Sequence, residues 1–284
     1  MIGLLSSQDV SPTNAPIFIL ASGQRCGSTL IQRLLNSHSN VLIWGEQLGH
    51  LNNFLPEYNR LRAWCDQYAS HRDMYVTKGY DHFLANMMPS GEQLDDVVVA
   101  YLTTLFGISA AQLGKSIWGF KEVRYDANVA ISLQNCFPHA RFIHLTRHIV
   151  DCFISLKRWE LDGTGSWNRE WTIFALKHWV RISASFRVDN ARFLHLLQVR
   201  YEDLVADPHT FLRTLAEFLG LAVADLDQNI FGRRLYDWDN GGSDDVVDTR
   251  PQIRPLDLDS EERALLLDEQ TLEIAAAYGY QVTF

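Results

Sequence analysis

Residues 23–29 read Gly-Gln-Arg-Cys-Gly-Ser-Thr, two glycines, an arginine and two hydroxyl residues within seven positions. A turn of this kind, leading from a strand into a helix, aims backbone N–H groups and the positive helix end at an anion. Arg25 adds a cation from inside the loop, while Cys26, Gly27, Ser28 and Thr29 surround it with main-chain and hydroxyl donors. A second cation, Arg147, closes the apolar run RFIHLT of residues 141–146. In a doubly wound sheet the ligand crevice lies beyond the carboxyl ends of the strands, and an arginine there can fork onto a phosphate. Ser155 follows eight residues later, about two helical turns on, so its hydroxyl falls on the same side as Arg147. The loop differs from an ATP-binding Walker loop, G-x-x-x-x-G-K-[ST]: it is one residue shorter between the glycines, and Ser28 stands where the lysine belongs.

These groups need a common edge to stand on. PIFILA (16–21), NVLIW (40–44), SIWGF (116–120), RFIHLT (141–146) and FLHLLQVR (193–200) are short strand-forming runs, separated by stretches long enough for helices. That alternation predicts an α/β fold with a central parallel sheet flanked by helices, in P-loop-like architecture. Asp207 as N-cap, Pro208 in the first turn and Gly220 as stop frame one helix. Residues 259–279 read as a C-terminal amphipathic helix, preceded by a polar, glycine-rich segment, 237–255, expected to be a mobile loop.

The chain has 284 residues, is 47% hydrophobic and carries a formal charge of −9, with a pI near 5.5. One domain spanning residues 1–284 accommodates that length. The acidic balance excludes a nucleic-acid scaffold, which needs a broad surplus of lysine and arginine, so an anionic ligand must be held locally. Cys26, Cys65, Cys136 and Cys152 form no CxxC pair and no zinc spacing; no metal and a reducing, cytoplasmic setting are expected. PIFILAS is too short to cross a membrane, and no membrane partner is expected. The oligomeric state stays open.

The stretch FILASGQRCGSTLIQRLLNSHSNVLIWGE resembles the 5′-phosphosulfate loop of sulfotransferases that use 3′-phosphoadenosine 5′-phosphosulfate (PAPS), particularly the branch holding the tyrosylprotein and many bacterial enzymes. FPHARFIHLTRHIVDCFISLKR is similar to that family's 3′-phosphate motif, and VRYEDLVADPHTFLRTLAEFLGL to a third block, in the family's order from about residue 16 to 221.

The resemblance implies sulfuryl transfer from PAPS, leaving 3′-phosphoadenosine 5′-phosphate (PAP), to a hydroxyl or amine; with no export signal read in the sequence, a small-molecule acceptor is expected rather than protein tyrosines. The resemblance also implies that Arg147 and Ser155 hold the 3′-phosphate and that Tyr201 faces the adenine or ribose. Negative charge develops on the bridging oxygen of the leaving phosphate, and a cation fixed there stabilises the transition state. Arg25 and Lys121, which follows SIWGF, are the candidates. The acceptor proton needs a base. Glu46 matches the carboxylate of the family's GE pair, with His50 the competing base. His38 reads as structural, and Glu202 and Asp203 as local caps or ion-pair partners. Arg250 and Arg254 are candidates to fold over the nucleotide. Arg158 is a further candidate, although the family's second arginine sits one position later, where this chain has Trp159. Aromatic residues crowd 64–83 and 158–171 and are candidates for an acceptor pocket, while the acidic 237–248 stretch would favour a cationic acceptor if it closed over the site. A P-loop nucleotide kinase and a non-catalytic PAP-binding module remain as alternatives.

Overall fold

The computed structural model describes residues 10–232 and 258–284. The segment read as a mobile loop, 237–255, with Arg250 and Arg254, lies outside the described residues.

The five apolar runs form five strands: β1 Ile17–Ala21, β2 Val41–Trp44, β3 Ile117–Glu122, β4 Arg141–Thr146 and β5 Leu196–Arg200. All neighbours pair in parallel in the order β2-β3-β1-β4-β5. Parallel strands are covered on both faces, which is why β1 reads as an unbroken apolar run. Phe18, Ile19, Leu20 and Ala21 are fully buried. Side chains alternate across the sheet, so Ile17, Ile19 and Ala21 join one core while Phe18 and Leu20 join the other.

Helices α1 Ser28–Asn36, α2 Leu51–Gln67, α3 Ala69–Lys78, α4 Gly91–Leu102, α5 Ser109–Ala111 and α6 Ala127–Cys136 precede β4; a π-helical turn, Thr103–Ile108, joins α4 to α5. They are followed by α7 Ile149–Thr164, α8 Arg169–Val188, α9 Tyr201–Ala206, α10 Pro208–Leu219, α11 Ser260–Leu266 and α12 Glu269–Ala277. Leu30, Leu34 and Leu35 of α1 and Phe211, Leu212 and Leu215 of α10 cover one face with the C-terminal helices. Residues of α2, α4 and α6 cover the other. Helix α8 serves both cores, with Trp179 in one and Phe186 in the other.

Between β1 and β3 the backbones come so close that a Cβ on Gly119 would lie 1.7 Å from the Ile17 carbonyl oxygen; only glycine allows this register. Helix α10 begins and ends where the sequence places it: Asp207 accepts a bond from the Thr210 N–H at 3.0 Å, and Gly220 takes φ +67°. The C-terminal helix expected over 259–279 is instead two, α11 and α12. The first starts at an Asp259–Glu262 capping box, and the chain breaks at Leu267–Asp268, letting both Leu266 and Ile274 reach the core.

Among the described residues, one continuous helical stretch, Gly91–Ala111, is long and apolar enough by length and composition to cross a membrane. Its Val98, Leu102, Phe106 and Ala110 recur at helical spacing and are buried in the second core.

The element order makes β1 the centre: the chain leaves it on one side for β2 and β3 and reaches β4 and β5 on the other. The carboxyl ends of β1, β3 and β4 therefore border one crevice, where such sheets bind ligands.

A candidate anion cradle and carboxylate site

The loop after β1 is pinned by the Ser22 N–H, which donates to the Leu145 carbonyl at 3.0 Å. Within it Arg25 takes φ +63° and Gly27 φ +93°. Two left-handed residues around a helix start turn successive N–H groups toward one point, an arrangement suited to anions. Gly27 caps α1 with no side-chain bond, which leaves first-turn donors of α1 to the crevice. A Cβ on Gly27 would lie 2.4 Å from Cδ2 of Tyr201, so the absence of a side chain also lets the tyrosine ring close the cradle.

Three distant segments meet on this loop. Arg25 Nε donates to Ser155 Oγ of α7 at 3.1 Å. Arg147, just past β4, donates from Nη1 to the Arg25 carbonyl at 3.0 Å. Its guanidinium lies 4.4 Å from the centre of the Tyr201 ring, a cation–π contact. Arg147 Nε is buried and has no hydrogen-bond partner among the described residues. A cavity of about 490 Å³ opens over these groups, lined by Arg25, Gly27, Ser28, Thr29, Arg147 and Tyr201 on one side and by Glu46 and Lys121 on the other. That volume suits a nucleotide-sized ligand. The Cys26 side chain points down into the core, its Sγ 3.5 Å from Cys152 Sγ, so that residue offers the cradle only its backbone.

Across the cavity stands a charge cluster. Lys121, nearly buried, donates to Glu46 Oε1 at 2.5 Å, and Arg124 Nη1 donates to Glu46 Oε2 at 2.8 Å. Burial alone would raise the Glu46 carboxyl; the hydrogen bonds and charges of Lys121 and Arg124 outweigh it and hold the group below the ordinary carboxylate range. Glu46 is thus ionised at neutral pH. Behind it Glu122 is fully buried, and each of its oxygens is occupied: Oε2 accepts from the Gln47 and Gly49 N–H groups at 2.8 and 3.0 Å, and Oε1 from Val123 N–H and Arg124 Nη1, both at 2.8 Å. This carboxylate ties the 46–49 turn, with Leu48 at φ +57°, to the end of β3 and so aims Glu46 at the cavity.

Arg124 and Glu122 are the residues that sequence reading missed. The signal was present in FKEVR, where charges follow the apolar run directly: Lys121 and Glu122 are still in β3, and Arg124 lies just past its end. His50 is not in the cavity: it faces a neighbouring hollow, bonded through Nε2 to the Tyr101 hydroxyl at 3.1 Å and stacked on Phe54. Trp159 lines the cavity, and none of residues 64–83 does. His38 lies just past α1 rather than within it, its Nδ1 accepting from the Asn40 N–H at 3.1 Å. Glu202, expected to act locally, instead reaches across the fold, accepting from the His148 N–H at 2.8 Å and the Tyr280 hydroxyl at 2.9 Å, and so fixes the entry to α7.

Beneath the loop, Ser183 donates to Ser22 Oγ at 2.8 Å, and Ser22 Oγ is hydrogen-bonded to His144 Nε2 at 3.1 Å, with the imidazole stacked 3.9 Å from the Phe186 ring. Burial pushes His144 down to about 3 from 6.5, so the ring is neutral in the fold. The unfolded chain then binds the extra proton below pH 6.5, and stability falls as pH drops from there toward 3. His144→Gln keeps a hydrogen-bonding side chain without the titration. In urea unfolding, the wild type's advantage over this variant is expected to shrink by about 2 kcal/mol between pH 7 and pH 5; an advantage independent of pH would contradict the buried neutral ring.

A family model described as "Sulfotransferase family" matches residues 16–225. The chain belongs to the sulfotransferase family. Among solved structures, the sulfotransferase domain of the Synechococcus PCC 7002 olefin synthase is 21% identical, with a TM-score of 0.55, and the match covers 99% of this chain and 100% of that one. A sulfotransferase domain from the curacin biosynthetic pathway is 20% identical, with a TM-score of 0.51, over 96% and 100% of the two chains. Both share the fold. No curated protein matches the sequence.

Proposed function

We propose that the protein transfers the sulfuryl group of PAPS to a hydroxyl, or an amine, of a small-molecule acceptor. The observation that supports this reading most is the joining of Arg25, Arg147 and Ser155, from three segments, around the uncapped start of α1. Loop residues 25–29 would hold the 5′-phosphosulfate, Arg147 and Ser155 the 3′-phosphate, and Tyr201 the nucleoside. PAPS supplies an activated sulfuryl group on a good leaving group.

The protein's own groups divide the remaining work. Lys121 and Arg25 are the cations that meet charge developing on the leaving oxygen. Glu46 takes the acceptor proton. A carboxylate clamped by two cations is a weak base, because both favour its charged form. As Lys121 turns from Glu46 to the donor, the carboxylate loses one clamp and gains basicity, so donor binding would ready the base. Arg124 keeps it in place meanwhile.

The test is incubation of the full chain with labelled PAPS and a mixed panel of alcohols, phenols and amines, read by mass spectrometry. Sulfated product formed together with PAP supports the proposal. Magnesium-dependent transfer from ATP would replace it with a kinase, and PAP binding without turnover of any acceptor would leave a binding module.

A further inference from the structure

The sheet has two outer edges, β2 and β5, and each leaves one row of backbone N–H and C=O groups facing away from the sheet. On β2 that row is closed. The Val41 N–H donates to the His38 carbonyl at 3.3 Å and the Ile43 N–H to Asn36 Oδ1 at 2.6 Å, while the Ile43 carbonyl accepts from Asn36 Nδ2 at 3.1 Å and Gln32 Nε2 at 2.9 Å. On β5 the row is open. The Phe142 N–H donates to the His195 carbonyl at 3.0 Å, and with Phe142 in register with Leu196 this turns His195, Leu197 and Val199 toward β4 and leaves Leu196, Gln198 and Arg200 facing outward. Among the described residues, no hydrogen bond engages the backbone groups of Leu196 and Gln198 on that side. The strand LLQVR carries no proline or lysine to blunt it, and a groove of about 350 Å³, bordered by Gln198, Arg200, Asp203 and Thr210, separates it from α9 and α10.

An open edge of this kind takes another strand. We propose that the strand is β5 of a second copy of this chain, paired antiparallel about Gln198, so that a two-fold axis passes through that residue and the two sheets join into one. An antiparallel row is its own complement: Gln198 meets Gln198, and Leu196 meets Arg200 on either side, which gives roughly four to six hydrogen bonds. The ends of the strand are complementary in charge as well. Arg192, held to Asp189 of its own copy but 57% exposed, precedes the strand, and the exposed Asp203 and Asp207 follow it. Antiparallel order sets the basic end of one copy beside the acidic end of the other, whereas parallel order would set like beside like. Leu194, exposed at the start of the strand, and the half-buried Leu197 add apolar surface. Five residues span about 17 Å, so the contact is a small one and the dimer a weak one. Tyr201 follows β5 directly, which places this interface next to the donor cradle, but the inference is independent of sulfuryl transfer.

Sedimentation equilibrium of the full chain tests it. The wild type is expected to exchange between monomer and dimer with a Kd on the order of 10 μM. Gln198→Pro removes an outward N–H and leaves the bonds to β4 intact, so it is expected to weaken the dimer at least roughly tenfold with an unchanged circular dichroism spectrum. Two charge variants give a reading that does not depend on how the proline is tolerated. Gln198→Lys and Gln198→Glu each set like charges opposite one another at the axis, and each alone is expected to raise the Kd by roughly threefold to fivefold. An equimolar mixture of the two is expected to dimerise at least as well as the wild type, a rescue specific to a two-fold axis through residue 198. A wild type that stays monomeric up to about 300 μM would overturn the proposal. So would a dimer that both charge variants and a folded Gln198→Pro leave as tight as before, or a mixture no more associated than its components.

Discussion

Arg147→Ala is expected to weaken PAP binding by about 1.5–3 kcal/mol, roughly 10- to 150-fold in Kd, the scale of a lost hydrogen bond to a charged group. The side chain is well placed for such an effect. It sits at the carboxyl end of β4 with its guanidinium carbon 4.4 Å from the centre of the Tyr201 ring and one nitrogen holding the Arg25 carbonyl. Its buried Nε has no partner among the described residues. Arg147→Lys is expected to recover only part of the loss, since an ammonium cannot fork onto a phosphate. Isothermal calorimetry reads both variants, and an unchanged Kd for Arg147→Ala removes this residue from the nucleotide site.

Glu46→Gln is expected to lower kcat by roughly 100-fold or more, the range spanned by loss of a general base, with little change in the Kd for PAP. The amide keeps the shape of the side chain and accepts from Lys121 or Arg124, but it cannot take a proton. The split between kcat and Kd matters here, because removing one member of a partly buried charge cluster also disturbs its partners. A Glu46→Gln variant that loses nucleotide affinity in proportion to rate would show that the carboxylate only positions Lys121. His50→Asn supplies the contrast. With its Nε2 on Tyr101 in a separate hollow, His50 is expected to be dispensable for turnover; if this variant alone lost the rate, the base would have been misassigned.

The sheet and the cradle were legible because their signals are local. β1 is a run buried on both faces, so hydrophobicity alone announces it. Gly27 must be glycine for the turn it makes and for the ring it admits, and the eight-residue interval from Arg147 to Ser155 survives because a strand end and a helix fix it. The carboxylate side was half hidden. SIWGF was taken to end before Lys121, yet β3 runs on to Glu122. Two charged residues stay in the strand because their partners, Glu46 and the N–H groups of Gln47 and Gly49, come from a turn about 75 residues earlier in the chain. No periodicity within one segment encodes such a pairing. The same holds for Glu202, whose partners His148 and Tyr280 lie in other elements, and for the break between α11 and α12, which serves the core rather than the helix.

The most direct test of the central claim, that three separated groups form one cradle for a nucleotide bearing a 3′-phosphate, is a calorimetric titration of the full chain with PAP, adenosine 5′-monophosphate and magnesium-ATP in the same buffer. PAP is expected to bind tightest, ahead of the monophosphate by at least about tenfold, the worth of one charged contact. Magnesium-ATP binding as tightly as PAP, or a monophosphate indistinguishable from it, would contradict the cradle.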